Sequence, residues 1–395
     1  MSNSERIYLD YAASTPVDER VLAAMNPYWR EQFGNAGSLH SEGRAARATI
    51  ETSREKIARV LQVKTDEITF TSGGTESNNL ALYGTIEGLH EGGRAYESMH
   101  IITSVIEHSS VLDCFLHLEK KGVAVSYASV TEEGLLDISA FKSLLRPETV
   151  LVSLVLVSNE IGTIQPIAEV SRVVREYEQV TTTQIYVHVD GSQGLVYVPA
   201  ALPVLGADLL SICGQKLYGP KGSGVLAHKG RVPLRPIMHG GTQERGLRPG
   251  TPVLPLIVGI AEAISLTESE RDTLVPKVTA LRDRFIDGIE SKIPNAVLNG
   301  SRTKRIATNA NFSFPGHAGE MIVIALDERG ISASTRSACL AGVAPGSHVV
   351  RALNRGGDSA TSAVRFTLGK YTTEVEIDRA LEIVVEALNS LPKAQ

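Results

Sequence analysis

Thr149 to Val157 (Thr-Val-Leu-Val-Ser-Leu-Val-Leu-Val) is a continuous apolar run rich in β-branched residues and without polar alternation. Such a run reads as a strand buried on both faces, so the chain must supply a covering layer on each side of its sheet. The sequence around it provides those layers. Further extended stretches are Glu67 to Phe70, His100 to Val105, Val123 to Val130, Gln184 to Asp190, Asp208 to Cys213 and Gly224 to His228. Between them lie runs of helical period: Ser77 to about Gly88, His108 to Lys121 and Ile167 to Glu178, with Ser38 to Leu61 preceding the first strand. Strand and helix in alternation predict an α/β fold with a mostly parallel, seven-stranded sheet covered by helices.

The texture changes after Arg245-Gly246-Leu247-Arg248-Pro249-Gly250-Thr251-Pro252. Two helices are expected there, about Leu256 to Ser269 and Val275 to Lys292. Separated strands (Asn309 to Phe314, Val364 to Leu368) and helices (Ala318 to Arg329, Glu374 to Leu391) follow. The expected division is a large α/β domain over 15–264 and a smaller α+β domain from 1–14 and 265–395. A chain of 395 residues accommodates both cores.

Composition removes several function classes. The formal net charge is −5 and no Lys/Arg block occurs, so direct nucleic-acid binding is not expected. No apolar run approaches the length of a membrane span, and Met1 to Tyr11 has no apolar core of a secretory signal. Three cysteines (Cys114, Cys213, Cys339) make neither a disulfide framework nor a zinc-ligand spacing, so no metal site is expected and the chain reads as cytoplasmic and reduced.

The chemistry-bearing residues fall at strand ends. Lys216 follows the Asp208 to Ile212 run and precedes the turn Tyr218-Gly219-Pro220-Lys221-Gly222. A lysine there is either a solvated charge or a Schiff-base amine at the mouth of a cleft. Ser72-Gly73-Gly74-Thr75 stands at a strand-to-helix junction and is either an ordinary helix cap or a phosphate cradle. Asp190 closes the strand of Tyr186-Val187-His188-Val189-Asp190, where it caps a turn or pairs with a protonated pyridine nitrogen. His108, after Glu107, and Asn159 likewise end strands; each is structural or ligand-facing. Cys339 lies in Ser337-Ala338-Cys339-Leu340-Ala341-Gly342 beside Arg336, among small and polar residues, and is a candidate thiolate. Cys114 and Cys213 sit on apolar elements and read as buried.

Together these segments resemble the cysteine desulfurases of the NifS/IscS type, class V aminotransferases of the fold-type I pyridoxal phosphate enzymes. The resemblance runs from Tyr8-Leu9-Asp10-Tyr11-Ala12-Ala13 to Leu368-Gly369-Lys370-Tyr371. It includes Phe33-Gly34-Asn35, Asn159-Glu160-Ile161-Gly162, Ser337-Ala338-Cys339 and Val364-Arg365-Phe366 in the family's order. The resemblance implies pyridoxal 5'-phosphate bound covalently by Lys216, with Asp190 on the pyridine nitrogen and His108 stacked on the ring. It implies that Gln193 and Asn159 reach the phenolate oxygen, and that Gly74 and Thr75 hold the phosphate. A homodimer partner would add Thr251. Arg365, with Asn35 and Asn159, would hold the carboxylate of L-cysteine, and Cys339 would take its sulfur as a persulfide and pass it to an acceptor protein. Iron–sulfur assembly, tRNA thiolation and DNA phosphorothioation all fit that chemistry.

Two residues beside the lysine depart from the family. Cys213 stands where a phosphate-binding serine is usual, and Gln215 where histidine is usual. A thiol is a weak donor, so one phosphate contact is expected to be weaker, with the Gln215 amide offsetting part of the loss. Arg336 replaces a glycine of the active loop, and Pro249 a small polar residue. Two other readings share the fold: a selenocysteine lyase or another class V lyase or aminotransferase, and a non-catalytic scaffold. The loop thiol speaks for desulfuration, because transamination has no use for it.

Overall fold

The computed structural model describes residues 6–335, 346–354 and 356–392. Arg336 and Cys339 lie outside the described residues. The seven expected strands form one sheet in the order Ile68–Thr71, Gly224–His228, Leu209–Cys213, Tyr186–Asp190, Thr149–Val155, His100–Ser104, Ala124–Ala128. Gly224–His228 is antiparallel to both of its neighbours and the remaining pairings are parallel. The apolar run that dictated the architecture therefore sits well inside the sheet. All seven residues of Thr149–Val155 are buried, as a strand covered on both faces requires.

Because six strands point the same way, their carboxyl ends gather on one edge, where ligands bind in open α/β sheets. Helices Gly74–Glu91 and Ser109–Lys120 leave from that edge and pack together on one face. Helix Ser41–Leu61 packs on Leu254–Lys292. It starts at His40, whose Nδ1 accepts from the Gly43 N–H at 3.3 Å, and stops at Gln62 in the left-handed region (φ 55°).

One expectation is corrected. The sequence suggests two helices where the structure has one, Leu254–Lys292, with Pro276 inside it. The polar stretch 268–273 looks like an interruption, but it contains no glycine. Leu274, Val278, Leu281 and Phe285 then continue a buried stripe at helical spacing, and packing along that stripe outweighs the one ladder bond that Pro276 removes. The helix runs uninterrupted across residues 264 and 265.

The C-terminal residues build a three-stranded antiparallel sheet from Val297–Leu298, Asn309–Ser313 and Ala363–Thr367. The N-terminal strand Ile7–Tyr8 joins this region rather than the large sheet, pairing in parallel with Ile331–Ser332. Asp10 then bridges Thr367, which brings the N-terminal segment to the strand that carries Arg365. Helix Glu374–Ser390 closes the region from a capping box in which Thr373 and Glu376 satisfy each other's backbone N–H.

Phe285 and Phe366 are both fully buried, with ring centroids 5.1 Å apart, and join the long helix to the three-stranded sheet. Phe285→Ala is expected to cost about 3–5 kcal/mol. Calorimetry should show a clear drop in melting temperature, and an unchanged transition would mean that this contact is not part of the cooperative core.

Candidate active site

At the carboxyl edge of the sheet a cleft of about 350 Å³ is lined by Gly74, Thr75, His108, Asn159, Asp190, Gln193, Cys213, Gln215, Lys216 and Arg365, among others. The structure thus gathers ten sequence-singled residues that are spread over nearly 300 positions. Asn35 and Thr251 are not among the lining residues. Asn35 is exposed and borders a separate cleft with Arg47, Thr242, Gln243 and Pro252, while Thr251 is exposed next to Pro252.

Asp190 ends its strand buried, and its two oxygens are held separately. Oδ1 accepts from the Ser192 N–H at 3.0 Å and Oδ2 from the Asn78 amide at 2.9 Å. Burial alone would raise its pKa; the bonds from Ser192 and Asn78, with His108 nearby, lower it instead. It is therefore a dry, ionised carboxylate, and no Lys or Arg pairs with it among the described residues. Asn78 also donates to Ser110 Oγ at 2.9 Å.

Ser110 fixes the imidazole of His108. The Ser110 N–H and hydroxyl lie 3.1 and 2.9 Å from His108 Nδ1, so the ring accepts there and its proton sits on Nε2. Burial lowers the His108 pKa and Lys216 adds to that, against the pull of Asp190, so the ring is neutral. Below this floor, His188 spans three strands. Its Nδ1 lies 2.8 Å from Ser153 Oγ and its Nε2 2.9 Å from Ser211 Oγ, and burial pushes its pKa down to about 4.

Lys216 follows strand Leu209–Cys213 in the tight turn Gly214–Lys216. Gly214 has no substitute here, since a Cβ would lie 2.1 Å from Ser223 Oγ. Thr15 clamps the turn from 200 residues away. Its N–H and hydroxyl donate to the Gln215 carbonyl at 2.9 and 3.0 Å, and its Oγ accepts from the Tyr218 N–H at 2.9 Å. Gln193 is tied by its amide to the Ala12 carbonyl at 2.9 Å.

The helix Gly74–Glu91 begins at Gly73 without a side-chain cap, so its first N–H groups open to the cleft. A Cβ on Gly74 would stand 2.9 Å from Ser192 Oγ and 3.3 Å from Cys213 Cβ, so a larger residue in this cradle would have to displace its neighbours. Glu76, on the same turn, does not leave a bare charge there. Its Oε2 accepts from the Ser72 N–H at 2.7 Å and its Oε1 from Arg248 Nε at 3.0 Å. Cys213 is buried as expected, yet it borders this cradle.

These features fit pyridoxal phosphate on this chain's own terms. An uncapped helix N-terminus suits the phosphate, and an ionised buried carboxylate without a cationic partner suits a protonated ring nitrogen. A lysine at the strand end suits the aldehyde. Sequence reasoning gave no role to Asn78, Ser110, Thr15 or Asp10. Only Asn78 had a signal, one helical turn beyond Gly74.

Glu107, beside His108, is the opposite of Asp190. Its Oε1 takes the bonds from the Ser104 hydroxyl and the Val155 N–H, while its buried Oε2 has no partner among the described residues. Burial pushes its pKa from 4.5 up to about 8, despite the bonds from Ser104 and Val155. Above its ordinary pKa the unfolded chain releases this proton while the folded chain keeps it. Glu107 therefore lowers stability progressively between about pH 4.5 and 8. Glu107→Gln keeps the acceptor and abolishes the titration. Its melting temperature should fall less than the wild type's between pH 5 and 8; parallel curves would mean that Glu107 ionises normally.

Comparison with known proteins agrees with this geometry. The model of the family described as Aminotransferase class-V matches residues 7–380. The chain is 43% identical over 385 residues to a cysteine desulfurase IscS of Dictyoglomus turgidum, covering 98% of this chain and 95% of that protein. A solved structure described as a NifS-like protein superposes with a TM-score of 0.90 at 36% identity, over 98% of this chain and 100% of its own. A structure of SspA in complex with cysteine does so with a TM-score of 0.79 at 34% identity, over 93% and 100%. With its lysine, aspartate and histidine converging at the carboxyl edge of this sheet, the chain belongs to the class V aminotransferase family and, within it, to the cysteine desulfurases of the NifS/IscS type.

Proposed function

We propose that the chain converts L-cysteine to L-alanine, using pyridoxal phosphate, and passes the sulfur through a persulfide on Cys339 to an acceptor protein. The observation that carries this reading is the single cleft in which Lys216, Asp190, His108 and Arg365 meet. When bound, pyridoxal phosphate supplies an electron sink for charge released at the substrate α-carbon. Asp190, kept ionised by Ser192 and Asn78, holds the proton of a ring nitrogen. Lys216 is the amine for the aldehyde, and it moves protons at the substrate. His108 presents a neutral ring with its proton on Nε2. Gln193 and Asn159 serve the phenolate oxygen, and Gly74 and Thr75 the phosphate, with a weaker contact from Cys213 and an amide from Gln215. Arg365 holds the substrate carboxylate as a guanidinium fork. At Cys339 the thiol would give up its proton and its sulfur would bond to the substrate sulfur as the substrate C–S bond breaks, the bonding pair staying on the substrate carbon, which takes up a proton on the way to alanine.

The reading includes a homodimer. Asn35 and Thr251 are exposed, and Asn35 lines its outer cleft with Pro252, the residue after Thr251. Such a placement suits service in the cleft of a second copy.

The purified protein should show a visible absorbance band that shifts with L-cysteine, and Lys216→Ala should lose the band's cysteine response. Cys339→Ala should bind cysteine but lose sulfide release. Sulfide release by Cys339→Ala at the wild-type rate would remove the persulfide from the reading. Cys213→Ser restores a hydroxyl donor to the cradle and should tighten pyridoxal phosphate binding by about three- to tenfold in equilibrium dialysis. Unchanged affinity would show that the side chain at position 213 makes no contact that limits phosphate binding.

A further inference from the structure

Arg365 enters the cleft with part of its hydrogen-bonding fork already engaged. Nη1 donates to the Asn159 carbonyl at 2.9 Å and Nη2 to Asp10 Oδ1 at 2.8 Å. Its Nε is buried without a partner among the described residues. A guanidinium has five N–H groups, so Nε and one hydrogen on each Nη are left for another acceptor. Arg365 is 2% exposed, so those donors have no water to satisfy them from the rear.

The contact with Asp10 is built into the backbone. Asp10 bridges Thr367, two residues beyond Arg365 on the same strand, and the Thr367 N–H donates to the Leu9 carbonyl at 2.8 Å. The Tyr8 hydroxyl donates to the Asp10 carbonyl at 3.1 Å. Asp10 does not line the cleft, whereas Ala12 and Ala13 do. Its side-chain hydrogen bond into the cleft goes to Arg365, while Lys216 is within reach of its charge.

We propose that Asp10 is a positioning residue for the substrate carboxylate, holding the Arg365 guanidinium so that Nε and the remaining Nη hydrogens meet an incoming carboxylate. Arginine has a long, flexible stem, and ordering it before the ligand arrives removes a cost from binding. Asp10 also offsets a cation that would otherwise stand buried and unpaired before a substrate binds. The inference rests on the reading of Arg365 as the carboxylate anchor.

The test compares L-cysteine with cysteamine, which keeps the amine and thiol and lacks the carboxylate. Binding of each to the pyridoxal phosphate-loaded enzyme is followed by absorbance, with turnover of L-cysteine alongside. Asp10→Ala should raise KM and the dissociation constant for L-cysteine about tenfold, leaving kcat and cysteamine binding within about twofold. Asp10→Asn, which keeps an acceptor for Nη2, should recover part of the loss. Normal cysteamine binding certifies the fold of each variant. Equal losses for both ligands would overturn the proposal, since Asp10 would then be merely structural. A fall in KM would overturn it too, because Asp10 would then be competing with the substrate for Arg365. Arg365→Gln is the reference: if it also fails to separate the two ligands, the anchor reading falls and this proposal falls with it.

Discussion

An ionised carboxylate in a floor that excludes water is the most demanding group in this molecule, and the cleft is arranged around meeting its needs. Asp190 survives as an anion because donors reach both of its oxygens, Ser192 on one side and Asn78 on the other. Asn78 is committed in turn to Ser110, and Ser110 to His108. One chain of bonds thus sets the charge of Asp190 and the tautomer of His108. A change in any member would be felt by both.

Glu107 shows how little separates the two outcomes. It is as buried as Asp190 and also has two donors, but both reach the same oxygen. The other oxygen is bare, and the nearby charge of Asp190 opposes a second anion. Burial wins, and the proton stays on at neutral pH. Two carboxylates at strand ends on either side of Thr149–Val155 therefore take opposite forms, one with donors on both oxygens and the other with donors on one.

The fold was legible because each sheet strand is an apolar run bounded by turn residues, and because the two-sided burial of Thr149–Val155 admits few architectures. Short helices such as Glu19–Met25 and Ile138–Leu144 were not legible, being too brief to establish a period. The break expected near residue 270 failed because a polar stretch on an exposed helix face resembles a loop in sequence. Within the cleft, the residues at strand ends stood out by position, but only the resemblance gave them roles. Their supports were not legible. Asn78 meets Asp190 from 112 residues away, Thr15 meets Gln215 from 200, and Asp10 meets Arg365 from 355. No local pattern encodes such pairings, which exist only once the sheet has brought the segments together.

The charge inventory of the cleft explains why the departures at Cys213 and Gln215 matter. Among the described residues, Lys216 and Arg365 are the only Lys or Arg side chains that line it. The first is the amine for an aldehyde, and the second is already tethered by Asp10 and the Asn159 carbonyl. On the proposed reading a phosphate at Gly74 would be met by backbone N–H groups, the helix dipole, the hydroxyls of Thr75 and Ser192 and the Gln215 amide. Glu76 would oppose an anion there, were it not tied by Ser72 and Arg248. With no further Lys or Arg among the described lining residues, each neutral donor there would carry a larger share of the anion's charge. On the proposed reading, a thiol at Cys213 in place of a hydroxyl would weaken the cradle where it has least in reserve.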